Sequence, residues 1–102
     1  MILSKQQVLT VLQEHRDNLT ESGVRRLGLF GSYVRNEQTE ESDIDVLVEF
    51  EEGKKTYDNF MRLCLFLEDK LQRRVEVVTL ESLSPYIRPH VVAEVEYVLF
   101  PS

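Results

Sequence analysis

Phe30-Gly31-Ser32-Tyr33-Val34-Arg35-Asn36 and, beyond a polar loop, Ser42-Asp43-Ile44-Asp45-Val46-Leu47-Val48-Glu49-Phe50 are the stretches on which the reading of this chain turns. In the second, Ile44, Val46, Val48 and Phe50 alternate onto one face, which predicts a strand. Asp43 and Asp45 then project together from the other face. Two carboxylates so close repel, and burying either without compensation is costly. Such a pair holds a proton or recruits a cation, and magnesium suits it, being a hard ion that takes one or two carboxylates plus phosphate oxygens. In the first stretch, Gly31 lets backbone approach a phosphate with no Cβ in the way. The amides that open the following helix and the Ser32 hydroxyl supply donors. Alone, Asp-x-Asp reads as a turn cap followed by an exposed strand residue, and Gly-Ser as a strand-to-helix turn with a serine cap. Their order, the ten residues between Ser32 and Asp43 and the apolar flanks make the combination specific. Together they point to nucleotide transfer.

Working outward, Ser4-Lys5-Gln6-Gln7 reads as a capping box. Val8, Leu12, His15 and Leu19 then share a helical face up to a stop near Thr20–Gly23. Val24 to Phe30 reads as a short strand, Ser32 to Asn36 as a short helix and Gln38 to Ser42 as a loop. After Glu51–Lys55, Thr56 caps a long helix whose stripe is Tyr57, Phe60, Met61, Cys64, Leu67 and Leu71. Val75–Val78 is a third strand. A C-terminal segment follows, helical at least after Pro89, with Val91, Val92, Val95, Tyr97, Val98 and Leu99 as its apolar surface. The order α-β-α-β-α-β-α predicts an α/β (α+β) fold, one small mixed sheet with helices packed on it, as a single domain over residues 1–102.

A chain of 102 residues supports one core and no separate substrate domain. A hydrophobic fraction of 42% and a charged fraction of 29% are those of a globular protein. No run reaches the length of a membrane span, the N-terminus lacks a signal-peptide pattern, and the single Cys64 excludes an internal disulfide. These features predict a cytoplasmic protein with no membrane association. A net charge of −6 argues against direct nucleic-acid binding through the bulk field. Glu37, Glu40, Glu41, Glu51 and Glu52 read as solvated loop acids. Cys64, His15 and His90 read as structural, Tyr33 as helix surface, and Tyr57 and Phe60 as core. Tyr86, Ile87 and Arg88 are types enriched at interfaces, with plain packing the competing reading.

Glu76 supplies a third acid inside Val75–Val78. It reads either as an exposed residue on an edge strand or as a group facing the aspartate pair. In the second case three acids suffice for two metals, and Glu76 would take a proton from an attacking hydroxyl, directly or through a water.

From Gly31-Ser32-Tyr33-Val34-Arg35 through Ser42-Asp43-Ile44-Asp45-Val46-Leu47-Val48, the chain resembles the DNA polymerase β nucleotidyltransferase superfamily. More narrowly, it resembles the minimal nucleotidyltransferases (MNT proteins, MntA-like antitoxins), and the resemblance covers nearly the whole chain. It implies a polymerase-β-like fold, with Gly31 and Ser32 on the nucleotide phosphates. Asp43 and Asp45 would bind Mg2+, two ions in all, and ATP would be the substrate. Glu76 stands where the family usually has an aspartate, and Asn36 where it often has a glycine. Arg35 would face a phosphate or form an ion pair. The resemblance further implies an enzyme, a protein adenylyltransferase of the EC 2.7.7 type and a type VII antitoxin. It would transfer AMP to a tyrosine hydroxyl of a partner HEPN toxin, an RNase, within a hetero-oligomer. Two alternatives stay open: a non-catalytic antitoxin that neutralises by binding, and a nucleotidyltransferase acting on a small molecule or an RNA end.

Overall fold

The structure is a computed structural model and describes residues 2–98. The predicted capping box is formed: the Ser4 side chain accepts from the Gln7 amide, and the Gln7 side chain accepts from the Ser4 amide. It opens α1 (Lys5–Glu14), which buries Val8 and Leu12. The single helix expected here is two. The chain breaks at His15 (φ −105°, ψ 17°) and resumes as α2 (Arg16–Glu21), which buries Leu19. No glycine or proline marks the break. Arg16 Nη1 donates across it to the Gln13 carbonyl at 3.1 Å, and the His15 ring stands edge-on to Phe66 at 5.6 Å.

Strands β1 (Val24–Phe30), β2 (Ile44–Phe50) and β3 (Val75–Val78) fall where the sequence predicts them. A fourth, β4 (Glu96–Tyr97), lies in the segment read as helical. The order is β3-β2-β1-β4, with β2 parallel to β3 and β1 antiparallel to both β2 and β4. The sheet is therefore mixed, as expected. Helix α5 (Arg88–Glu94) begins one residue before Pro89, whose missing N–H is no loss in a first turn. It ends at Glu94, and the chain turns through an extended Val95 into β4. Val98 then donates to the Leu27 carbonyl at 2.8 Å. A side chain at Gly28 would collide with Val95 and Tyr97, so this corner packs on bare backbone. Leu99 lies outside the described residues.

The parallel crossover from β2 to β3 runs through α4 (Tyr57–Leu71), capped by the Thr56 side chain, which accepts from the Asn59 amide at 3.1 Å. Its core stripe is rotated from the expected one. Leu63, Leu67 and Leu71 are buried and Phe60, Cys64 and Phe66 pack beside them, whereas Tyr57 (76% exposed) and Met61 face solvent. Two apolar stripes overlap on this helix, and the core takes the leucine-rich one that runs to its end. Leu67 and Leu29 are fully buried, each contributing roughly 1.5–3 kcal/mol of transfer free energy. Tyr86 and Ile87 are exposed. Among the described residues no helix is long and apolar enough to cross a membrane.

Candidate active site

The antiparallel register of β1 and β2 pairs Phe30 with Asp45. Gly31, one residue on, therefore arrives beside the Asp45 carboxylate, and a Cβ there would run into that carboxylate. Its backbone (φ 79°, ψ −150°) lies in a region that only glycine enters readily. Glycine is thus demanded twice over, and the two halves of the motif meet in space.

Gly31 opens α3 (Ser32–Arg35), and its carbonyl accepts from the Val34 and Arg35 amides at 3.1 and 3.2 Å. The Ser32 and Tyr33 amides, first in the helix, have no carbonyl to reach within it. A helix of four residues contributes little dipole, so anion binding here would rest on individual donors and the Ser32 hydroxyl. Tyr33, expected on the surface, is 1% exposed and is among the largest fully buried side chains. It anchors the turn from beneath. Asn36 ends α3 in the left-handed conformation (φ 60°, ψ 37°), which asparagine tolerates almost as glycine does. That accounts for its standing at a position suited to glycine.

Asp43 immediately precedes β2 and Asp45 is its second residue. The parallel register sets Asp45 directly opposite Glu76 on β3. Glu76 is both things the sequence allowed: exposed on an edge strand, and the cross-strand neighbour of Asp45, whose carboxyl it perturbs. Burial, first, and then the charge and hydrogen bond of Glu76 push the Asp45 carboxyl up to about 6, with Asp43 adding to the effect and Arg35 opposing it. Arg74 Nε lies 3.9 Å from Asp43 Oδ1, with the arginine largely in solvent and the aspartate partly buried, a contact too loose to neutralise the cluster.

The predicted triad therefore converges around Asp45 and is short of positive charge. Among the described residues no three His, Cys, Asp or Glu side chains form a ready-made metal cage. An all-oxygen, acid-rich pair without a cage nevertheless fits magnesium, which completes its shell with water and substrate phosphate. A cavity of about 360 Å³ lined by Glu40, Glu41, Ser42, Asp43, Arg73 and Arg74 opens beside Asp43. A second, of about 470 Å³, lies between the start of α4 and the end of β3 and contains none of the predicted site residues.

Arg35 is engaged in ion pairs. Its Nε donates to Glu37 Oε1 at 2.8 Å, and its Nη1 donates to both carboxylate oxygens of Glu94, at 2.9 and 3.1 Å. Glu94 also accepts from the Gly31 amide at 2.7 Å. Sequence reasoning missed Glu94, and no motif marks it: it is a single acid 63 residues from the glycine it meets.

The sequence matches the family model of the nucleotidyltransferase domain over residues 10–98. Protein adenylyltransferase MntA of Thermococcus cleftensis is 42% identical over 98 residues, covering 95% of this chain and 98% of its own. A Methanocaldococcus jannaschii protein provisionally named a protein adenylyltransferase is 42% identical over 95 residues, or 93% of this chain and 94% of its own. A solved chain provisionally classed as a minimal nucleotidyltransferase superposes with a TM-score of 0.71 at 38% identity, covering 86% of this chain and 93% of that one. A chain of a toxin-antitoxin crystal structure with AMP-PNP superposes with a TM-score of 0.68 at 26% identity, covering 97% of this chain and 75% of that one.

Proposed function

The chain belongs to the minimal nucleotidyltransferases of the DNA polymerase β superfamily, and from that premise we propose that it transfers AMP from ATP to a hydroxyl of a partner protein. The observation that carries this reading is the seating of the Gly31 turn against the Asp45 carboxylate, with Glu76 directly opposite Asp45 on the next strand. That arrangement sets phosphate donors beside a cation-seeking acid cluster.

In this reading the Ser32 hydroxyl and the amides around Gly31 hold the β- and γ-phosphates of ATP, and Arg35 lies within reach of the same charge. Asp43 and Asp45 hold the divalent cation, with Glu76 as their third acid. Magnesium bound there supplies positive charge against the triphosphate and lowers the pKa of the attacking hydroxyl. Glu76 takes the proton of the acceptor, directly or through a water. The acceptor oxygen then forms its bond to the α-phosphorus, and the bond to pyrophosphate breaks.

The acceptor we propose is a tyrosine of a HEPN-type toxin, which AMP transfer would silence, making this chain a cytoplasmic type VII antitoxin acting as one domain. The 42% identical relative named a protein adenylyltransferase and the structural neighbour from a toxin-antitoxin complex with AMP-PNP support a protein acceptor. The test is to incubate the protein with ATP, magnesium and the toxin encoded beside it, then to measure intact masses. One or more AMP-sized increments on the toxin are expected. Inhibition of the toxin with no increment would replace transfer by neutralisation through binding. Neither result would move the acceptor to a small molecule or an RNA end.

A further inference from the structure

Glu94 is the last residue of α5, a poor place for an acid, since carbonyl ends of helices attract cations. It also bonds the same glycine whose α-carbon packs against the Asp45 carboxylate. What holds its carboxylate is the Gly31 amide at 2.7 Å and Arg35 Nη1 at 2.9 and 3.1 Å. One backbone N–H of the Gly-Ser turn and one guanidinium, converging on two oxygens, offer what a phosphate group would receive there. Gly31 has a single N–H, so a phosphate and Glu94 cannot both take it. The Glu94 side chain is 25% exposed, which leaves it a way out to solvent.

We propose that Glu94 is an exchangeable anion in the phosphate seat of this nucleotidyltransferase, displaced when a triphosphate enters and returning as pyrophosphate leaves. The inference rests on the nucleotide reading above and goes beyond it. A competing carboxylate weakens the binding of every ligand that needs the Gly31 amide and Arg35, substrate and pyrophosphate alike. It leaves untouched a ligand that does not use that seat. Its role is therefore to keep the seat from being blocked by the product.

Glu94→Gln tests this, because it keeps the size and one acceptor oxygen while removing the charge. Calorimetry would compare ATP with magnesium, pyrophosphate, tripolyphosphate and adenosine on the wild type and the variant. Loss of one competing charge-assisted contact should tighten ATP, pyrophosphate and tripolyphosphate by about tenfold and leave adenosine unchanged. Equal or weaker triphosphate binding by folded E94Q overturns the proposal and leaves Glu94 as a brace between α5 and the turn. If neither protein binds ATP or tripolyphosphate, the nucleotide reading itself fails, and the proposal with it. Should E94Q not fold, the wild type still decides. The Glu94 carboxylate carbon resonance must move toward that of a solvated glutamate when tripolyphosphate is added, and an unmoved resonance overturns the exchange.

Discussion

Asp45→Asn is expected to stabilise the protein while ending AMP transfer. The Asp45 carboxyl is pushed up to about 6 by burial and by Glu76, from an ordinary aspartate value of about 4. A raised carboxyl pKa means that the folded chain holds this proton more tightly than the unfolded chain does. The contribution of this group to stability is therefore fully present below about pH 4 and is lost as pH rises through about 6. At neutral pH the ionised group carries its whole cost. A rise of this size corresponds to about 3 kcal/mol at roughly 1.4 kcal/mol per tenfold change in proton affinity. Asp45 is only half-buried, so solvent screening reduces this to about 1 kcal/mol. Asparagine has nearly the same shape, preserves the fit against Gly31 and offers Glu76 an N–H in place of the proton. For a domain of about 100 residues, 1 kcal/mol moves Tm by about 4–8 °C. Thermal unfolding at pH 7.5 should show the variant melting about 5 °C higher, with the gap closing near pH 4. Intact-mass analysis should show no AMP on the partner. A variant that melts lower at pH 7.5, or that still transfers AMP, would refute the reasoning.

Gly31→Ala should do the reverse at the same contact. The backbone region is open to glycine almost alone, at a cost of about 1–3 kcal/mol for other residues, and the new methyl displaces the Asp45 carboxylate. A lower Tm and at least a hundredfold loss of transfer, on the order expected for a misplacement of about 1 Å at a reacting centre, are the outcomes to check by melting and mass analysis. Glu76→Gln removes a charge from an exposed edge position, so Tm should hold or rise. Carbon-13 titration should then find Asp45 closer to the ordinary aspartate range, and transfer rates should fall by about 10²–10⁴ if Glu76 takes the acceptor proton.

Much of this structure can be read from local pattern, and the misses share a cause. The three main strands are short apolar-rich runs bounded by polar or glycine-containing turns, a signal that survives without tertiary context. β4 has two residues and follows a helix, so Val95–Val98 continues an apolar run that periodicity alone cannot split. The core stripe of α4 was ambiguous because Tyr57 and Met61 compete with Leu63 for the same helix, and only the sheet beneath decides. Tyr33 reads as surface in a four-residue helix, yet it is the floor of the turn. Within the site, Gly31, Ser32, Asp43, Asp45 and Glu76 are named by spacing and by strand register. Glu94 is not, because a contact spanning 63 residues leaves no local trace.

The parallel pairing of β2 with β3 has a consequence for how the protein comes into being. Asp45 and Glu76 are neighbours only because two strands separated by a whole helix align in one register, Ile44 with Val75 and Asp45 with Glu76. A slip of one residue would turn Glu76 to the opposite side of the sheet and bring Val75 or Val77 to the acid. Pairings between segments so distant in the chain form late, after local helices and hairpins. A nascent or partly folded copy can thus hold the β1–β2 hairpin, with Gly31 and both aspartates in place, and still lack the third acid. In the proposed mechanism the set of three acids is complete only once β3 has paired with β2 in this register.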